Sequence, residues 1–196
     1  MNIQNLSHPF YHTIIYNYFT DDEINKIQVE FDTLNKSLDK LPQLKDDVHH
    51  QQLKDQFNTR TIYLDGVYQN KREESSILKL LYKIYENDFD YKQNPFLKYL
   101  KLSNRDTSTI QLYENNSSYF KHIDHSVLTC LYVFWEEPKK FTGGDLIFTD
   151  YDYAPPLQNN CCIIFPGFEP HIVTTLNSSS NNINRCTINH RVYINS

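Results

Sequence analysis

A histidine and an aspartate stand two positions apart in the segment SYFKHIDHS, residues 118–126. Residues two apart on a β-strand point to the same side of the strand. His122 and Asp124 can therefore face one cavity, while Ile123 packs behind them. An imidazole and a carboxylate are two ligands for a divalent transition metal, and a third ligand must come from elsewhere in the chain.

His171, in the segment FPGFEPHIVTT, is the candidate for the third ligand. A tight turn delivers it to the start of a predicted strand. Two histidines and one carboxylate form the facial triad of non-haem Fe(II) oxygenases, which leaves three coordination positions open for a co-substrate and dioxygen. An HxD pair alone often arises by chance, so the metal interpretation depends on the complete ordered set of residues.

Arg185 could complete such a site. The co-substrate 2-oxoglutarate has a distal carboxylate that a buried site must neutralise, and the forked guanidinium of arginine is suited to this task. Arg185 follows the second histidine by fourteen positions, across the loop NSSSNNIN. Thr187 shares its face, and Tyr113 lies on the strand before the HxD turn, so both could donate hydrogen bonds to the co-substrate. Arg191 is on the same face as Arg185 and stays an alternative partner of the carboxylate.

The composition limits the classes of protein to which the chain can belong. Its 196 residues are 39% apolar and 22% charged, which predicts a single globular domain over 1–196. The formal net charge of -5 argues against a nucleic-acid partner. The sequence shows neither a secretory signal nor an apolar run of membrane-spanning length, so we expect no membrane partner and a cytoplasmic protein. Four cysteines without a CxxC pair are expected to be small buried residues in a reducing compartment.

The elements that must position these residues divide the chain into two parts. A capping box at Thr20–Glu23 begins a helix, and a second helix is predicted from about Ser75 or Ser76 to near Asn87. Between the two helices, TRTIYLDGV (59–67) is strand-like. From about Thr107 onward the pattern changes to short strands with turns between them. We therefore predict an α+β fold, a double-stranded β-helix (jelly roll), with helical support over about 10–100 and a jelly-roll core over about 105–195.

Several other residues have simpler interpretations. The pair Gly143-Gly144 is predicted to form a hairpin turn. We expect His8, His12 and the pair His49-His50 to be solvated, since none of them has metal-ligand spacing. The loop before Thr61 is expected to shape the cavity entrance, with Arg60 facing it.

The ordered segments resemble the Fe(II)/2-oxoglutarate-dependent dioxygenases of the prolyl 4-hydroxylase type. The similar segments are YFKHID, LTCLYVF, FTGGDLIF, CIIFPGFEPHIV and RCTI, preceded by Tyr113. The similarity extends over about 10–193 and is loose between about 41 and 100. It implies that His122, Asp124 and His171 are the catalytic Fe(II) ligands, that Arg185 binds the C5 carboxylate of 2-oxoglutarate, and that Tyr113 donates a hydrogen bond to the co-substrate.

The resemblance also implies a reaction. The expected activity is hydroxylation of an unactivated C–H bond by dioxygen, with succinate and CO2 as co-products and with a prolyl or other amino-acid side chain of a protein as substrate. A requirement for ascorbate is left open. A free amino acid or other small metabolite stays an alternative substrate. A non-catalytic jelly-roll binding module and a zinc hydrolase with the same ligands stay alternative functions.

Overall fold

The large sheet of the protein has seven antiparallel strands. The computed structural model describes residues 2–37, 59–180 and 182–194. In spatial order, the strands of the large sheet are β1 (Asn2–Leu6), β2 (His12–Tyr16), β9 (Cys161–Pro166), β6 (Leu128–Trp135), β12 (Arg185–Tyr193), β4 (Arg105–Tyr113) and β3 (Thr59–Tyr63). The β-branched and aromatic residues of these segments are those that favour strands.

Two smaller sheets lie against one face of the large sheet. The first has the order β5 (Tyr119–His122), β10 (His171–Val173) and β8 (Leu146–Phe148). The second pairs β7 (Phe141–Thr142) with β11 (Asn177–Ser178). Together with the strands of the large sheet, these pairings give the jelly roll that the sequence predicts.

The other face of the large sheet is covered by helices. They are α1 (Asp21–Lys36), α2 (Leu64–Tyr68), α3 (Ser76–Leu81), α4 (Lys83–Glu86), α5 (Lys98–Leu102) and two 3₁₀ turns (Arg72–Glu74 and Pro95–Leu97). The predicted capping box of α1 is present, with Thr20 and Glu23 each bonded to the other's backbone. No helix in the described segments is both long enough and apolar enough to cross a membrane.

Side chains alternate between the two faces of the large sheet and build two separate cores. On β6, Cys130 and Tyr132 pack in the core under the helices, whereas Leu131 and Val133 pack in the core between the sheets. The adjacent residues Cys161 and Cys162 are divided between the same two cores, as alternation predicts. All four cysteines are free thiols. The face between the sheets, here called the inner face, carries the candidate site.

The second predicted helix has the expected bounds, from Ser76 to Glu86, but it consists of two pieces, α3 and α4, which meet at Tyr82. Two other expectations about local structure were wrong. The strand predicted over 59–67 ends at Tyr63, and the chain turns into α2 because Leu64 is fully buried and the carboxylate of Asp65 accepts a bond from the backbone of Ser108. Gly143 and Gly144 join strands of different sheets, so their turn is not a hairpin.

We expect His12 to be solvated from the sequence, but in the structure it is not. Its side chain is fully buried, with Nδ1 2.9 Å from the carbonyl of Phe10 and Nε2 3.1 Å from the hydroxyl of Tyr153. Burial lowers the pKa of His12. His8 is exposed as expected, and the pair at 49–50 lies outside the described residues.

Candidate metal centre

The two candidate histidine ligands are brought together by strand pairing. His122 ends β5 and His171 begins β10, and the two residues are directly opposite each other in the antiparallel ladder. Their ring centroids are 4.2 Å apart. The pairing of two short strands thus brings together residues that are 49 positions apart in the chain.

Asp124 places its carboxylate between the two imidazoles. Oδ1 lies 3.8 Å from Nε2 of His122, and Oδ2 lies 3.8 Å from Nε2 of His171. One ligand atom from each of the three residues falls within 4.8 Å of the others. Asp124 and His171 are buried, whereas the side chain of His122 is 22% exposed, so the cluster opens to solvent beside His122. Among the residues described, this is the one cluster of three or more His, Cys, Asp or Glu side chains that could hold a metal ion.

Hydrogen bonds fix which ring nitrogen of each candidate histidine carries the proton. Nδ1 of His122 lies 2.8 Å from the carbonyl of Phe120, and Nδ1 of His171 lies 2.8 Å from the carbonyl of Glu169. A carbonyl only accepts, so each Nδ1 carries the proton and each Nε2 offers a lone pair to the cluster. Such outer bonds commonly orient metal-binding histidines. The donor set therefore fits a divalent cation.

The pKa of His122 supports the same protonation state. Burial and the neighbouring His171 lower the pKa of His122 to about 4, although the carboxylate of Asp124 acts in the opposite direction. The imidazole is therefore neutral at physiological pH. No proton has to leave His122 before a metal binds.

Asp124 is held by two donors, one on each oxygen. Arg191 Nε donates to Oδ1 at 2.8 Å, and Thr129 Oγ1 donates to Oδ2 at 2.7 Å. Burial alone would raise the pKa of Asp124, but Arg191, the two imidazoles and the bond from Thr129 outweigh it and lower that pKa to about 2. The carboxylate is thus ionised and fixed in direction.

A glycine lets the two ligand-bearing segments approach each other closely. The backbone N–H of Asp124 donates to the carbonyl of Gly167 at 2.7 Å. A Cβ on Gly167 would lie 2.1 Å from Oγ of Ser126 and 2.5 Å from its carbonyl oxygen. Ser126 in turn contacts the hydroxyl of Thr129 at 3.0 Å. The glycine of the FPG turn is therefore required by packing against the HxD turn.

Arg185 lies on the inner face of β12 and is 2% exposed. Its guanidinium stacks over the ring of Tyr113 at 4.7 Å. Nη1 is buried and has no hydrogen-bond partner in the described part of the chain. A buried donor without a partner is costly, and a charged one more so, which points to an anionic ligand at this position.

Tyr113 and Thr187 meet at a residue that the sequence interpretation missed. The hydroxyl of Tyr113 donates to Oε1 of Gln111 at 3.1 Å, and that of Thr187 does so at 3.3 Å. Gln111 precedes Tyr113 by two positions on β4 and therefore shares its face. This alternation was the signal that could have identified Gln111.

Arg191 shares the inner face with Arg185 but has a different partner. The two residues are six positions apart on β12, which places their backbones roughly 20 Å from each other. Arg191 binds Asp124, so it stands at the metal end of the strand. His190, between them on the opposite face, is buried and lies 3.2 Å from Asp106.

His125 and Arg60 lie outside the centre. His125 is exposed in the turn after Asp124 and has a φ of 53°. Arg60 does not face the cavity. Its guanidinium pairs with Glu114, because β3 presents Arg60 on the same side as the helix-side residue Ile62.

Comparisons with known proteins bear on the fold. No family model matches the sequence, and no curated protein does either. Solved structures do match. A Pseudomonas putida prolyl-4-hydroxylase superposes with a TM-score of 0.58 at 12% identity, covering 94% of this chain and 93% of that one. A Burkholderia pseudomallei oxidoreductase of the 2OG-Fe(II) oxygenase family gives a TM-score of 0.55 at 11% identity, over 94% and 86% of the two chains. This chain therefore has the jelly-roll fold of these two proteins.

Proposed function

We propose that the chain is an Fe(II)/2-oxoglutarate-dependent dioxygenase that hydroxylates a C–H bond of an amino-acid unit, either in a protein or in a small molecule. One observation carries the proposal. The inner face carries both a His-Asp-His cluster with its two Nε2 atoms free for a metal and a buried arginine, Arg185, whose Nη1 has no acceptor among the described residues. The shared fold of the two solved oxygenases supports it.

The proposal assigns a role to each residue. His122, Asp124 and His171 would hold Fe(II), and Arg185 would bind the distal carboxylate of 2-oxoglutarate. A bound Fe(II) supplies the activation of dioxygen that lets succinate, CO2 and a hydroxylated product form. Tyr113 and Thr187 would orient the co-substrate through their hydroxyls, together with Gln111.

The protein's contribution to this reaction is orientation and exclusion of water. All three ligands approach from one side, because His122 and His171 are opposed on paired strands and Asp124 follows directly. The far side of the cluster stays open to a co-substrate and dioxygen. The rings of Phe148 and Phe165 pack beside the ring of His171, with centroids 5.9 and 5.2 Å away, and keep water from that side of the cluster.

The two rival functions explain less of the site. A zinc hydrolase would use the same three ligands, but it would leave Nη1 of Arg185 without an acceptor among the described residues. A binding module without turnover would not need three preset ligands with directed lone pairs. Neither rival accounts for the metal cluster and the arginine together.

The test is spectroscopic and anaerobic. Metal-free protein given Fe(II) and 2-oxoglutarate should develop a visible charge-transfer band. His122→Ala and Asp124→Ala should lose the band. Arg185→Ala should keep metal binding but require far more 2-oxoglutarate. A colourless wild-type complex, with hydrolysis supported by zinc, would contradict the proposal.

Arg60→Ala is the matched control for Arg185→Ala. It also removes one arginine, but from the helix-side face of the large sheet, where the guanidinium pairs with Glu114. The 2-oxoglutarate requirement of this variant should equal that of the wild type. On admission of air, succinate formation would separate an enzyme from a binding module.

A further inference from the structure

The two arginines of β12 bring more positive charge to the inner face than Asp124 balances, and Asp124 is the one carboxylate of the described residues that is bonded to either of them. β12 presents two guanidinium groups on the inner face, Arg185 and Arg191, and Asp124 accepts a hydrogen bond from Arg191. The side chains of the two arginines are largely removed from solvent, and that of Arg191 is 18% exposed. The charges in this cavity therefore have to be balanced by what binds there.

If the proposed function holds, the site binds Fe(II) and 2-oxoglutarate, and its formal charges can be added up. Fe(II) brings two positive charges and 2-oxoglutarate two negative ones. Asp124 and Arg185 then cancel each other. The charge of Arg191 is left over, so a site that contains metal and co-substrate still lacks one negative charge.

The terminal nitrogens of the Arg191 guanidinium are available to bind a group that carries the missing negative charge. Nε is bonded to Asp124, and no other acceptor within the described ranges bonds to the guanidinium. Its two terminal nitrogens remain as a pair of donors. A carboxylate fits such a fork with two parallel hydrogen bonds.

The surroundings of Arg191 suit an anion that arrives from outside. Thr107 lies opposite Arg191 on β4, and its hydroxyl is 3.4 Å from that of Tyr193. Arg105 stacks over the Tyr193 ring at 5.3 Å and is exposed. Polar and cationic groups thus continue from the metal end of β12 to the protein surface.

We propose that the substrate carries a carboxylate that binds the terminal nitrogens of Arg191 beside the metal centre. Since one positive charge is in surplus, a carboxylate matches the site better than a doubly charged phosphate. The substrate class is then an N-acylated or free amino acid, or the C-terminal residue of a peptide. An internal residue of a protein chain would bring no carboxylate to the terminal nitrogens of Arg191.

The test uses pairs of probes that differ only in charge. N-acetyl-L-proline, N-acetyl-L-leucine and N-acetyl-L-lysine are each compared with their amides, anaerobically, with Fe(II) and 2-oxoglutarate bound. Binding is measured from the change of the visible band and from the thermal shift. In the wild type, at least one acid should bind at least about tenfold more tightly than its amide, since a charge-assisted bond is gained.

Variants localise the effect. Arg191→Lys should keep a preference for the acid, and Arg191→Gln should lose it. The ratio of the two affinities within each variant cancels any general loss of metal binding. Arg60→Gln should keep the wild-type ratio. Equal binding of acids and amides, no binding by any probe, or a preference that survives in Arg191→Gln would overturn the inference. A wild type that binds no Fe(II) and 2-oxoglutarate would instead contradict the proposed function.

Discussion

Gly167 lies so close to Ser126 that no side chain fits between them. An added Cβ would stand 2.1 Å from Oγ of Ser126 and 2.5 Å from its carbonyl oxygen. Gly167→Ala should therefore displace the turn that carries Asp124 and weaken Fe(II) or Co(II) binding by about tenfold or more. Metal titration against a competing chelator measures this loss.

Gly66→Ala, in α2, is the control for that substitution, since the three atoms nearest to its Cβ all belong to the ring of Tyr63 at the end of β3. Metal affinity should not change in this variant. A Gly167→Ala protein with wild-type affinity would show that the two turns can separate without moving the carboxylate.

Thr129→Val tests the bond to the second oxygen of Asp124. Valine has the shape of threonine but lacks the hydroxyl that donates to Oδ2 at 2.7 Å. We expect metal affinity to fall about tenfold, because partners of metal ligands typically contribute this much. Thr187→Val, on the same inner face, should leave metal affinity unchanged and raise the 2-oxoglutarate requirement. The expectation fails if both variants bind metal equally well.

The stability of the metal-free protein should fall in acid because of His122. Its pKa is lowered to about 4 in the folded protein, by burial first, whereas an unfolded histidine titrates near 6.5. Below about pH 6.5 the unfolded chain therefore binds a proton that the folded chain refuses until about pH 4. The free energy of unfolding should decrease across this interval by an amount on the order of 3 kcal/mol.

Urea unfolding in the presence of a chelator, at steps between pH 7 and pH 4.5, measures that slope. His122→Gln should show a shallower slope, since glutamine does not titrate. If the two proteins lose stability in parallel, another group is responsible for the acid sensitivity.

Arg72→Leu should destabilise the fold without touching the site. Its guanidinium pairs with both Asp65 and Asp106 on the helix side of the sheet, and all three side chains are largely buried. Removing it takes the shared cation from two largely buried carboxylates, which keep only the N–H of Ser108 and the ring of His190, and this costs about 3 kcal/mol. Arg60→Leu breaks a pair that is 45% and 39% exposed, so its loss should be under about 1 kcal/mol. Chemical denaturation of both variants decides, and equal losses would refute the distinction.

Alternation along strands explains which parts of the site could be predicted from the sequence. It assigned Thr187 and Arg191 to the face of Arg185, and the structure places all three there. Cys161 and Cys162 were likewise assigned to opposite faces, and they lie in different cores. These assignments needed only the period of a strand, which a sequence displays directly.

Contacts between distant segments could not be predicted in this way. The bond from Arg191 to Asp124 joins residues 67 positions apart, and its existence depends on how the HxD turn leans toward β12. The buried position of His12 depends on Tyr153, which is 141 positions away in the chain. The start of α2 depends on a backbone amide of β4. Each of these local structures depends on a partner that only the folded chain brings near.

Because side chains alternate strictly along β12, only one register with the neighbouring strands puts the correct residues on each face. A shift of one residue in the register of β12 would turn the two arginines toward the apolar core under the helices. It would also turn four residues that now face that side into the cavity: Cys186, Ile188, His190 and Val192. No intermediate alignment would be half as stable or half as active. A substitution that weakens the pairing of β12 with its neighbours should therefore abolish folding and activity together. A substitution at a cavity-facing position can change the activity and leave the fold intact.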